Sequence, residues 1–167
     1  MLEDLLYVKE ALGQHAEPLR VFKLRTMIKD AERLREEVKK NGRGLNGKFH
    51  PDPRVTSVGR FLRRYWIDEI PQFYNIFRGD MSVVGIRPAS ESEWNDYPED
   101  HRERALQYKP GLFGIHYALP PGKSSFNDVV EIQKQYLAEK EQHPFLTDLR
   151  YFFKICYNIL VRGVRSS

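Results

Sequence analysis

The chain has 167 residues, 41% of them apolar and 30% charged, which allows one modest hydrophobic core and excludes a disordered tail. A net charge of +4 favours an anionic partner, and nucleic acid, anionic lipid or phosphorylated metabolites would all satisfy it. The lone cysteine, Cys156, excludes an internal disulfide framework and fits a reducing, cytosolic compartment.

Along the chain, Met1-Leu-Glu-Asp-Leu-Leu lacks the basic and apolar pattern of a signal peptide, and no run approaches the roughly 18–20 apolar residues of a spanning helix. Residues 18–25 alternate apolar with basic and predict a short strand. Thr26 is a candidate cap for a helix whose Met27, Ala31, Leu34 and Val38 share a face, stopped by Gly42 and Gly44. Residues 41–53, rich in Gly, Asn and Pro, predict a loop. A second helix is expected over about Ser57 to Trp66, with Val58, Phe61, Leu62 and Tyr65 inward.

Asp68 then sits where an N-cap belongs, with Pro71 in the first turn of a helix striped by Ile70, Phe73, Ile76 and Phe77 and closed by Gly79. Met81 to Gly85 reads as a short buried extended run. Ser90 and Glu93 have capping-box spacing before a helical stretch, Glu91 to Gln107, that Pro98 must break or kink. Lys109-Pro-Gly marks a turn, and Leu112 to Ala118 reads as a strand. Ser125 and Asp128 repeat the cap spacing ahead of a helix through about Glu141. A last helix, about Asp148 to Val161, collects Leu149, Phe152, Phe153, Cys156, Ile159 and Leu160 on one side, opposite Arg150, Lys154 and Arg162. That face suits either the core or a membrane headgroup region, and Trp66 and Trp94 leave the same choice open. The expected fold class is α+β and mostly helical, with amphipathic helices around a small short-stranded sheet in a single domain, 1–167.

Chemistry concentrates in residues 60–88. Asp68 and Glu69 are adjacent carboxylates at a helix start, with Arg60, Arg63 and Arg64 before them and Arg78 and Arg87 after. Carboxylates beside guanidinium groups suit a site that handles phosphate with a divalent metal. An aspartate is ionised at neutral pH and so needs no general base to act as a nucleophile; cations would offset its repulsion from a diphosphate. The same residues also fit ordinary capping and surface ion pairs, and composition and spacing leave both readings open.

The run Asp68-Glu69-Ile-Pro71-Gln72-Phe-Tyr-Asn75-Ile-Phe-Arg-Gly79-Asp80-Met81-Ser82-Val-Val-Gly85-Ile-Arg87-Pro88 resembles the signature of the monotopic phosphoglycosyl transferases, the bacterial sugar transferase family. Val21-Phe-Lys23-Leu-Arg25-Thr26-Met27, Gly59-Arg-Phe-Leu-Arg63 and Lys109-Pro110-Gly111-Leu-Phe-Gly114 resemble three further family segments, in the same order. The resemblance implies transfer of a sugar-1-phosphate from a nucleotide-diphosphate sugar, by family habit a UDP-sugar, to polyprenyl (undecaprenyl) phosphate. That step initiates exopolysaccharide, capsule or O-antigen (lipopolysaccharide) synthesis. It further implies Asp68 as the nucleophile of a phosphosugar-aspartate intermediate and Glu69 as a Mg2+ ligand. Arg63 and Arg87, and more weakly Lys23 and Arg25, become phosphate contacts; Asn75 and Asp80 read as architectural.

The implied location is the cytoplasmic face of the bacterial inner membrane, peripheral or monotopic, and a homodimer stays open because relatives associate. The family's N-terminal re-entrant membrane helix is missing from this sequence, so the chain alone is expected to behave as soluble, and access to the lipid acceptor is in question. Ile86 stands where the family has Pro, Ala11 where it has Arg, and the text from His116 to Lys123 differs altogether. The rival reading is a catalytically idle scaffold in polysaccharide assembly. A nucleic-acid module fits less well, because the arginines are interleaved with acids and no nucleic-acid motif occurs.

Overall fold

The computed structural model describes residues 5–29, 31, 33–34 and 52–164. Strands β1 (Leu6–Leu12) and β2 (Pro18–Leu24) form an antiparallel hairpin with Leu6 opposite Leu24 and Leu12 opposite Pro18. Sequence reading anticipates β2 but not its partner: in β1 only Ala11 is buried, so no alternation marks the strand. At the hairpin tip His15 and Ala16 are both left-handed (φ 59° and 61°), and the His15 N–H donates to the Leu106 carbonyl at 2.6 Å.

The expected helix after Thr26 does not begin there. Met27 bridges to Val55, and the Thr26 carbonyl accepts the Thr56 N–H at 3.0 Å, so this stretch pairs laterally. Val38, Gly42, Gly44 and most of the expected loop lie outside the described residues. Helix α1 (Ser57–Arg64) is capped by Thr56, whose hydroxyl accepts the Gly59 N–H at 2.9 Å. The Tyr65–Trp66 end of the expected helix is not helical. Its inward face also differs from expectation: Val58, Phe61 and Tyr65 are exposed, and Gly59 is buried. A Cβ at Gly59 would overlap the Thr26 backbone, so the helix approaches the molecule through its one residue without a side chain.

A 3-10 helix (Ile67–Gln72) then runs into α2 (Phe73–Phe77). Asp68 lies inside the 3-10 segment and is not its N-cap; Trp66 flanks the segment in the left-handed region, φ 62°. The expected apolar stripe is likewise turned mostly outward, with Ile76 alone of its four residues packing on the core. Asp68, Glu69, Gln72 and Asn75 are buried, whereas Ile70, Phe73 and Phe77 are exposed. The physical reason is that the polar face has partners inside the molecule.

Strands β3 (Ser82–Gly85) and β4 (Gly111–Gly114) pair in parallel, joined by α3 (Glu91–Trp94) and α4 (Glu99–Ala105). The Ser90–Glu93 capping box forms and Pro98 separates the two helices, both as expected. The expected strand over Leu112 to Ala118 holds only to Gly114, and Ile115–Ala118 is a 3-10 turn. Helix α5 (Phe126–Gln142) starts from the Ser125–Asp128 capping box as expected. Helix α6 (Pro144–Leu160) begins earlier than expected, with Pro in its first turn.

Helix α6 buries Thr147, Tyr151, Ile155 and Asn158, a face rotated from the expected one; Phe152 and Ile159 pack on the core edge, while Phe153 and Leu160 are exposed. The principal core joins Val84, Ile86, Trp94, Ile115, Tyr117, Ile132, Tyr136, Leu137, Tyr151 and Ile155. Trp94 thus sits inside, not at an interface. Ala11, Leu19, Val21, Met81 and Leu112 form a smaller core beneath the hairpin. The architecture is α+β and mostly helical, with two small two-stranded sheets among the described residues.

Candidate active site

The site is assembled where the polar face of the 3-10 segment and α2 meets β2. The Asn75 side chain acts as a substitute strand. Its Nδ2 donates to the Arg20 carbonyl at 2.8 Å and its Oδ1 accepts the Phe22 N–H at 3.3 Å. These bonds satisfy polar groups on one edge of β2 and fix the strand against the motif. The next residue, Lys23, places its ammonium 2.9 Å from Glu69 Oε1. The architectural role expected of Asn75 therefore has a geometric content.

Glu69 is gripped from three sides. Besides Lys23, Arg87 Nη2 reaches Oε1 at 3.4 Å, and the Gln72 amide donates to Oε2. Burial pushes the Glu69 carboxyl up, but Arg87, Lys23 and Gln72 outweigh burial and hold it below the ordinary carboxylate range. Asp68 is shifted the other way: burial, then the Glu69 charge, raises it, against Lys23 and Arg63. Asp68 Oδ1 is buried with no hydrogen-bond partner among the described residues. A buried, unsatisfied carboxylate oxygen beside cations is costly unless something else completes its shell. Lys23 is lowered to about 8, first by burial and then by Arg87, with Glu69 and Asp68 opposing.

Arg63 donates Nε to Thr26 Oγ1 at 3.0 Å, and burial lowers its guanidinium against the pull of Asp68. Of the residues singled out in the sequence, Asp68, Glu69, Lys23, Arg63 and Arg87 come together. Arg25 anchors on the hairpin, donating Nη2 to the Leu6 carbonyl at 3.3 Å. Three neighbours were not foreseen. Gln72 stands at i+3 from Glu69, a signal present in the motif itself. Tyr117 receives Arg87 Nη1 at 3.0 Å. Arg54 is doubly bonded to Asp52 (3.0 and 2.8 Å) and sits close enough to depress Arg63, with no pattern in the sequence to mark it.

Among the described residues no group of three or more His, Cys, Asp or Glu could hold a metal. The carboxylate pair still suits a Mg2+ ion of the sparse kind. Among the described residues Asp68 Oδ1 has no partner, and Glu69 Oε2, bonded to Gln72, keeps a second lone pair. Magnesium commonly takes one or two carboxylates and fills its octahedron with water and phosphate oxygens.

Residues 2–162 match the family model described as bacterial sugar transferase. The chain is 34% identical to the galactosyl transferase CpsE of Streptococcus agalactiae serotype III over 80% of its own length and 30% of that protein. It is 32% identical to the exopolysaccharide production protein ExoY of Sinorhizobium fredii, over 90% of the chain and 68% of ExoY. Identity to the undecaprenyl-phosphate galactose phosphotransferase of Salmonella typhimurium is 34%, over 66% of the chain and 24% of that enzyme. The chain thus spans well under half the length of two of these relatives.

Proposed function

We propose, on the premise that this chain belongs to the bacterial sugar transferase family, that it transfers a sugar-1-phosphate from a UDP-sugar to undecaprenyl phosphate. The observation that carries the reading is the pairing of unlike carboxylates. Asp68 has an oxygen without a partner among the described residues and a raised pKa, and Glu69 is fixed and kept ionised by Lys23 and Arg87. Environments that push two adjacent acids apart assign them different tasks. The names of several relatives, among them the Salmonella galactose phosphotransferase, give the same general reaction for those proteins.

In the first step an Asp68 oxygen attacks the β-phosphorus of the donor. The bond from that phosphorus to the bridging oxygen breaks, and UMP departs with the electron pair, leaving a phosphosugar-aspartate. The raised basicity of Asp68 makes it a better nucleophile, while Arg63, Arg87 and Lys23 neutralise the diphosphate. In the second step an oxygen of the lipid phosphate attacks the same phosphorus, and the Asp68 carboxylate is released. No proton need be removed from either nucleophile. Asp68 and Glu69 would hold Mg2+, whose contribution when bound is to offset negative charge on the transferred group.

A lipid acceptor requires a membrane surface, and the outward apolar faces supply a candidate. Among the described residues no helix is long and apolar enough to cross a membrane. Yet Phe61, Ile70, Phe73 and Phe77, with Phe145, Phe153 and Leu160 on α6, are exposed, Phe77 to 88%. Arginines lie over tyrosines along these elements: Arg64 on Tyr65, Arg78 on Tyr74 and Arg162 on Tyr157, at 5.9, 5.7 and 5.3 Å. Basic and aromatic side chains flanking apolar ones favour the headgroup region. The cytoplasmic leaflet is the face at which a nucleotide-sugar is available.

The test is UMP release from a panel of UDP-sugars with Mg2+, detergent and undecaprenyl phosphate. Release by the wild type, abolished in Asp68→Asn together with the phosphosugar mass adduct, is the expected result. No release from any UDP-sugar would leave the scaffold reading in its place.

A further inference from the structure

The segment from His116 to Lys123 departs from the family text, and its Tyr117 reaches the site. Tyr117 is 5% exposed, its ring edge-on to Trp66 with centroids 4.6 Å apart and against His116 at 3.9 Å. Its main chain is held from the opposite side. Buried Asn158 of α6 donates Nδ2 to the Tyr117 carbonyl at 2.9 Å and to the Leu119 carbonyl at 3.1 Å. With ring and backbone both fixed, the phenol oxygen accepts Arg87 Nη1 at 3.0 Å. The other contact of this guanidinium, Nη2 to Glu69 Oε1, is longer at 3.4 Å and orients it weakly.

A guanidinium carries five N–H donors in one plane. Tyr117 and Glu69 engage one nitrogen each, and 36% of the Arg87 side-chain surface stays open. We infer that Tyr117 is a positioning residue, whose phenol sets the plane of the Arg87 guanidinium so that its remaining donors fork onto phosphate oxygens of the nucleotide-sugar. For its ligand the inference rests on the proposed reaction; the geometry of the pair does not depend on it. A two-pronged contact to phosphate requires the plane to be fixed beforehand, because ordering a rotating guanidinium on binding reduces affinity. Without the phenol, the long contact to Glu69 is the one hydrogen bond left to this guanidinium among the described residues.

Tyr117→Phe keeps the ring against Trp66 and removes only the acceptor. The KM for the UDP-sugar should rise about tenfold, the loss expected for one hydrogen bond to a charged group, with a smaller change in kcat. In an Arg87→Ala background the same substitution should do nothing further, since no guanidinium is left to orient. Losses that add across the two sites would mark Tyr117 as structural only and overturn the inference. A second readout needs no turnover. The guanidinium nitrogen NMR signals of Arg87 should be separate in the wild type, where rotation is hindered, and averaged in Tyr117→Phe; identical spectra would also overturn it. Absent UMP release by the wild type would remove the proposed reaction, and the NMR comparison would then decide the positioning role alone.

Discussion

Asp68 and Glu69 are neighbours in the chain yet sit in opposite electrostatic settings. Glu69 meets two cations and an amide, whereas one oxygen of Asp68 meets no donor among the described residues. The text of the motif names both residues, and within it only Gln72, three residues after Glu69, hints at which one is held; the difference is completed by Lys23 of β2 and by Arg87, which the fold brings back onto Glu69. Lys23, Arg63 and Arg87 were legible only as members of recognisable segments. Tyr117 was not, since its place is set by packing on Trp66 and by Asn158 of α6. A different buried group gives a direct pH test. His101 is buried, its Nε2 lies 2.7 Å from Gln133 Oε1, and its Nδ1 has no partner among the described residues. Burial lowers its pKa against the Gln133 contact. The unfolded chain therefore takes up a proton near pH 6.5 that the folded chain refuses, so stability falls as pH drops below about 6.5. Urea midpoints at about pH 7.5 and about pH 5.5 should show a larger loss for the wild type than for His101→Gln. Equal losses in the two proteins would remove His101 from the pH response.

Secondary elements with local causes were the easiest to read. The Ser90–Glu93 and Ser125–Asp128 boxes each need only residues three apart, and both form as the sequence suggests. Which face of a helix points inward is a different matter, because the usual rule assumes water outside. In α1 and in the segment through α2 most large apolar side chains, among them Val58, Phe61, Ile70, Phe73 and Phe77, are exposed, while Ile76 packs on the smaller core. A glycine and a row of polar groups point in. Gly59 shows how tightly this inverted packing is specified: it lets α1 lie on the Thr26 backbone, and the same approach brings Arg63 Nε to Thr26 Oγ1 at 3.0 Å. Gly59→Ala must push the helix off its seat, at a cost of about 3 kcal/mol from overpacking. Chemical denaturation should show that loss, while Arg64→Ala, exposed at the end of the same helix, should stay within about 0.5 kcal/mol. A second element pair, α5 and α6, is tied by Lys140, whose ammonium contacts Asp148 at 2.6 and 2.7 Å and the Tyr136 hydroxyl at 2.9 Å. Asp148→Ala leaves that buried ammonium without its counter-charge and should cost about 3 kcal/mol; a loss within about 0.5 kcal/mol would mean that water replaces the carboxylate.

For the whole molecule, the distribution of apolar groups poses the main question. The core between β3, β4, α5 and α6 is closed, yet large apolar side chains remain outside on α1, on α2 and along α6. Large apolar side chains exposed in this number are candidates for an interaction surface. Two forces would act at a bilayer. Arginines such as Arg64, Arg78 and Arg162 each contribute about 1 kcal/mol on an anionic surface, a term that salt screens within a Debye length. Apolar insertion contributes about 2 kcal/mol for one fully buried Phe, and salt leaves it intact. If both act, the chain binds anionic vesicles more tightly than zwitterionic ones, and part of the binding survives at high salt. Phe77→Glu, at a position already 88% exposed, should leave folding unchanged yet weaken binding at least about tenfold, in low and high salt alike. Complete release of the wild type by salt would assign the contact to charge alone. An undiminished partition for Phe77→Glu would show that this face does not enter the bilayer.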